Sequence, residues 1–222
     1  MPIKSNSVIA GKSLGMSQGC RPGFINKVST LAGLVNEYEK SQKIAEKGWN
    51  PLRSLLEGYR GQGDLETVVK CAALAEDLIG KSYRKECSVK VKRHGHQRRI
   101  KQAVLQKAKQ TLASKSNIEK LKYCKSFEDI FCVVSRNCSQ IPGLGPLYIY
   151  DAALRIGSFL KKLPKRVYLH AGALAGARAL RLDVKSSPFP VSAFPISMQQ
   201  LTAHEIEDFL CIYKDELKEI KI

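Results

Sequence analysis

"SQIPGLGPLYIYDAALRIG", residues Ser139–Gly157, decides how this chain is read. Gly143 and Gly145 flank Leu144, Pro146 follows, and apolar residues then recur at helical spacing. Glycine tolerates positive φ and lets a backbone approach closely. Proline suits the first position of a helix, where its missing N–H costs nothing. Upstream, "SFEDIFCVVSRN" opens with Ser126 opposite Asp129, a capping-box variant. The stretch therefore predicts a helix over Phe127 to Arg136, a tight turn, and a second helix from Pro146 to about Leu160. In that second helix Ile149, Ala152, Ala153, Ile156, Phe159 and Leu160 share a face that must be core. Tyr148, Asp151, Arg155, Ser158 and Lys162 share the opposite face, with Asp151 and Arg155 four apart.

Outward from this pair the pattern stays helical. Val28, Leu31, Leu34, Val35 and Tyr38 mark a helix within 25–47. "NPLRSLLEGYR" has Asn50 as cap and Pro51 as first residue, and "DLETVVKCAALAEDLIG" runs from a cap at Asp64 to Gly80. "HQRRIKQAVLQKAKQTLAS" reads as a basic amphipathic helix with Ile100, Val104, Leu105, Ala108 and Leu112 inward. A helix over 164–180 and a last one in "TAHEIEDFLCIYKDELK", with Thr202 and Glu205 as capping box, complete the series. Only "CSVKVK", Cys87 to Lys92, alternates like a strand. The expected class is all-α, a multi-helix domain. Composition divides the chain into a mobile arm (1–20), an N-terminal helical segment (21–80), a basic segment (81–125) and a helical domain around the glycine turn (126–222).

The chain has 222 residues, and 37 Lys and Arg against 20 Asp and Glu give a net charge of +17. The charge is clustered: 81–125 holds fifteen Lys and Arg but only Glu86 and Glu119 as acids. A concentrated basic block suits a polyanion, because each phosphate neutralised releases counterions. Nucleic acid is the expected partner. An acidic protein is the alternative, and no membrane is expected, since the longest uncharged run (186–204) contains three prolines. Seven cysteines without Cys-x-x-Cys spacing, and no apolar leader, predict free thiols and a cytoplasmic protein. "AGKS" at Ala10 to Ser13 lacks the glycine a phosphate loop needs at the position of Asn6.

"IPGLG" followed by a helix resembles the helix-hairpin-helix module with which DNA-repair proteins grip duplex backbone. The resemblance covers about thirty residues. It implies that Gly143, Leu144 and Gly145 form the grip: Leu144 anchors the hairpin between its helices, and N–H groups at the second helix's N-terminus face a phosphate. It departs after the second glycine, where Ile149 stands in place of a small residue and Pro146 removes an N–H. Glycosylases that carry the module place an aspartate near "RVYLHAG", where this chain has His170, and the bifunctional ones add a lysine where Leu147 stands. A standard base-excision glycosylase is therefore not expected. "HGHQRRI", "VYLHAGALAGARAL" and "EIEDFLCIYK", with the turn, also resemble a family of small uncharacterised bacterial proteins, which implies a coherent fold and no mechanism.

The phosphate grip is thus assigned to Gly143, Leu144 and Gly145, with Lys92, Arg93, Arg98, Arg99 and Lys101 supplying charge. Backbone contacts position a protein without reading bases. The alternative is an enzyme acting on nucleic acid through His96, Asp151 or His170. His94-Gly95-His96 reads first as a polar turn before the basic helix, so no metal ligand and no cofactor is assigned. Gly172, Ala173, Gly176 and Ala177 form a smooth stripe on which another helix can pack. Glu205, Glu207, Asp208, Asp215, Glu216 and Glu219 read as a solvated acidic face without two-metal spacing.

Overall fold

A computed structural model describes residues 30–43, 51–78, 93–184 and 187–220. The arm at 1–20, the alternating stretch at Cys87 to Lys92 and the phosphate-contact candidate Lys92 lie outside these residues. The helices are α1 (Leu31–Ser41), α2 (Leu52–Arg60), α3 (Leu65–Ala73), α4 (Gln102–Leu112), α5 (Lys115–Lys122), α6 (Phe127–Cys138), α7 (Pro146–Phe159), α8 (Ala171–Ala179) and α9 (Ala203–Ile212). The sheet among the described residues is one antiparallel pair, β1 (Arg166–Val167) with β2 (Phe189–Pro190). The protein is all-α. No helix among the described residues is long and apolar enough to cross a membrane.

The helix after the glycine turn is the centre of the fold. From Tyr148 to Ser158 every residue of α7 is buried. The predicted core face packs as expected, but the opposite face is buried too. Tyr148 donates its hydroxyl to the Ala73 carbonyl (2.7 Å), and Ser158 donates to the Leu56 carbonyl (2.8 Å). Tyr148 and Ser158 survive there because each hydroxyl meets a backbone carbonyl of α3 or α2; unpaired, each would cost about 1–3 kcal/mol. Helices α2, α3 and α6 pack on α7, and α4 and α5 pack on α3 and α6, with Leu55, Val68, Leu105, Leu121, Ile130 and Ile156 in one core.

A second core joins distant parts of the chain. Leu34 and Val35 of α1 meet Ala173 and Ala177 of α8, Ile206 and Phe209 of α9, and Val167, Phe194 and Met198. The small-residue stripe has found its partner: a Cβ on Gly176 would collide with the Leu210 carbonyl, and one on Gly172 with the Cys211 side chain. Backbone contact this close requires glycine.

Three predicted boundaries move. Helix α3 ends at Ala73 instead of running to Gly80: Ala75 turns the chain at φ 55°, and Glu76 donates its N–H back to the Cys71 carbonyl. Its neighbours hold that turn, with Tyr59 donating to the Glu76 carbonyl and the His94 N–H to the Ala75 carbonyl. Helix α4 begins at Gln102, because residues 95–97 form a separate 3₁₀ turn that sends His96 and Gln97 toward α7. The segment after Pro164 is extended through β1, and its helix starts only at Ala171.

Candidate functional site

The turn between α6 and α7 is compact. Leu144 donates its N–H to the Ile141 carbonyl (3.2 Å), and Gly143 adopts φ 94°, the left-handed region that favours glycine. Gly145 caps α7 in extended backbone, and a Cβ there would meet nothing. Leu144 is half-buried against the first core, while Gly143 and Gly145 are exposed. The side chain of Val104 on α4 lies 3.6 Å from where a Gly143 Cβ would sit. The turn therefore rests on the helix that follows the basic residues, and Lys101 is the N-cap of that helix.

Arg98, Arg99 and Lys101 are exposed. Arg93 has a different task. Its guanidinium donates to the Ile100 carbonyl (2.7 Å) and to the Gln102 side chain, tying 93–102 into a loop. Together with Leu74, Glu76, Arg98 and Gln102 it lines a polar cleft of about 270 Å³.

Behind this surface lies a group of ionisable side chains. His94 and His96 stand ring to ring, centroids 4.8 Å apart and nearly perpendicular. Nδ1 of His96 is 3.5 Å from Oδ2 of Asp151. Gln97 donates its amide to the same oxygen and accepts from Arg155 (3.3 Å), whose guanidinium lies 3.9 Å from Asp151. Burial alone would raise the Asp151 pKa, but His96, Arg155 and His94 outweigh it and hold the carboxyl well below the usual range. His94 is pushed down to about 3 by burial first and then by the Arg155 charge, so its ring is neutral at pH 7. Its Nδ1 is buried and has no hydrogen-bond partner. One ligand atom from each of His94, His96 and Asp151 can be chosen so that all three lie within 4.8 Å of one another.

The second core supplies the other wall. His170, the N-cap of α8, packs on the Tyr150 ring at 4.7 Å and sets Nδ1 3.4 Å from Oε1 of Glu207 on α9. Burial raises the Glu207 pKa, and the Asp151 charge adds to it while His170 and His96 oppose. Asp208 accepts from the Tyr38 hydroxyl (3.0 Å), and burial with the adjacent Glu207 pushes its carboxyl up to about 7. Of the three catalytic candidates, His96 and Asp151 are paired, while His170 pairs with Glu207, whose carboxyl senses the Asp151 charge.

The solvated acidic face is accordingly corrected at four of its six positions. Glu205 and Glu207 are buried, and Asp208 and Glu216 are half-buried. Glu205 pairs with Arg53 (2.5 Å) and closes the α9 capping box with Thr202. The sequence did carry a signal for Glu207: Ala203 and Leu210, four before and three after, put it on a core-facing row.

No protein-family model matches this chain, and no curated protein or solved structure resembles it significantly.

Proposed function

We propose that this protein binds nucleic acid by its phosphate backbone, duplex DNA being the preferred form, with a helix-hairpin-helix-like turn at Gly143, Leu144 and Gly145 as the contact. The observation that carries the reading is the seating of the turn on α4: Gly143 lies against Val104, while Lys101 caps the same helix and exposed Arg98 and Arg99 precede it. The first-turn N–H groups of α7 have no intrahelical acceptors, and Gly145 has no side chain to cover them. Arg93 supplies its charge from a guanidinium held in place within the 93–102 loop. Fluorescence anisotropy with labelled duplex DNA, single-stranded DNA and RNA tests the reading. Gly145→Val folds normally, since the position is open, and weakens binding; unchanged affinity would make the turn a corner only.

A second reading, a nucleic-acid-processing enzyme, draws on a different observation: two ionisable pairs, His96 with Asp151 and His170 with Glu207, which sense one another's charge. Buried ionisable groups with displaced pKa values gather at reactive sites. Turnover of labelled DNA or RNA that is abolished by His170→Ala supports it. A complex with an acidic protein that survives nuclease treatment would instead favour a protein-interaction role.

A further inference from the structure

We propose that His94, His96 and Asp151 form a binding site for one divalent transition-metal ion of the zinc type. The inference is independent of nucleic-acid binding and departs from the sequence reading, which assigned no metal ligand.

Three observations carry it. The three side chains present two imidazole nitrogens and one carboxylate oxygen within 4.8 Å of one another. Ligand atoms around a four-coordinate zinc ion are about 3.4 Å apart, given bonds of about 2.0–2.1 Å, so side-chain rotations of about an ångström close the set. The buried Nδ1 of His94 has no hydrogen-bond partner, which is costly for an imidazole unless something coordinates or bonds it. Outer contacts already orient the carboxylate: Gln97 donates to Oδ2 of Asp151, and Arg155 stands 3.9 Å from it.

The surrounding charge also matches a cation. Asp151, Glu207 and Asp208 are three carboxylates that sense one another, against the single guanidinium of Arg155. Two imidazoles favour zinc, cobalt or nickel over magnesium, which prefers all-oxygen ligation. His96, with about a quarter of its side chain exposed, stands at the mouth and gives the ion a route in.

The test uses the full chain stripped with a chelator and titrated with Zn²⁺, Co²⁺ and Mg²⁺ by calorimetry, with Co²⁺ binding also followed by its visible absorption. The account expects one equivalent of Zn²⁺ or Co²⁺, no comparable Mg²⁺ binding, and a cobalt spectrum without the near-ultraviolet thiolate band that the free cysteines would give. His96→Ala changes a partly exposed side chain and keeps the fold. It lowers affinity about 100-fold or more, beyond the roughly 10–100-fold that outer partners are worth. Asp151→Asn provides a second ligand variant with the same expectation. Wild type that binds no Zn²⁺ or Co²⁺, folded variants that bind as tightly as wild type, or a thiolate cobalt spectrum would each overturn the proposal.

Discussion

Glu207 reaches His170 within the second core, its Oε1 3.4 Å from Nδ1 on the cap of α8, where the His170 ring packs on Tyr150 of the first core. The contact ties α9 to α8, and the Glu207 carboxyl senses the charges of Asp151 and His96. The two side chains therefore act as a unit. Glu207→Ala and His170→Ala, alone and combined, are expected to show a coupling of about 0.5–3 kcal/mol in urea unfolding. Strict additivity would mean that the pair is a coincidence of packing.

The α8–α9 contact predicts its own variant. Alanine at Gly176 drives a methyl into the Leu210 carbonyl, so α9 must move away. Gly176→Ala is expected to lower stability by about 1–3 kcal/mol. Gly95→Ala, where a Cβ meets nothing within 4 Å, serves as the control and stays close to wild type. Equal midpoints for the two variants would rule out the close approach of α8 and α9.

Asp208 predicts a pH dependence. Its carboxyl ordinarily titrates at 3.8 and is pushed up to about 7 in the fold, by burial first and then by Glu207. The native state thus holds a proton that the unfolded chain releases. The stabilisation from that proton is complete below 3.8 and is lost as pH rises through about 7. Asp208→Asn, neutral at every pH, is expected to gain on wild type by on the order of 1–3 kcal/mol between about pH 5 and about pH 8 in the presence of a chelator. A constant difference across that range would contradict the shifted carboxyl.

The helical class, the α6–turn–α7 pair and the Thr202 cap were all legible in the sequence, because each rests on local pattern: periodicity, glycine placement and a capping box. The surroundings of α7 were not. Tyr148, Arg155 and Ser158 read as a polar face, yet each is buried against a segment far away in the chain. Long-range pairing of this kind leaves no local trace. The same holds for the site. His94 and His96 looked like a turn before a helix because nothing in the spacing discloses Asp151, which lies 55 residues beyond His96. The extended start of 164–170 was missed because its pairing partner at Phe189 comes after a loop.

The basic surface predicts a salt dependence. Arg98 and Arg99 are exposed ahead of the helix on which the turn rests, and each phosphate contact contributes about 0.9 to the slope of log affinity against log salt. Replacing both with alanine is expected to reduce the slope by about 2 and to weaken binding to all sequences alike. An unchanged slope would place the contacts elsewhere.

The most direct measurement is fluorescence anisotropy of the wild-type chain with labelled duplex DNA, single-stranded DNA and RNA across a salt series, repeated with Gly145→Val. The account predicts binding that weakens steeply with salt, a preference for duplex DNA, and a clear loss of affinity in the folded variant. Absence of binding at low salt would contradict it, and the basic block would then be matched to an acidic protein instead.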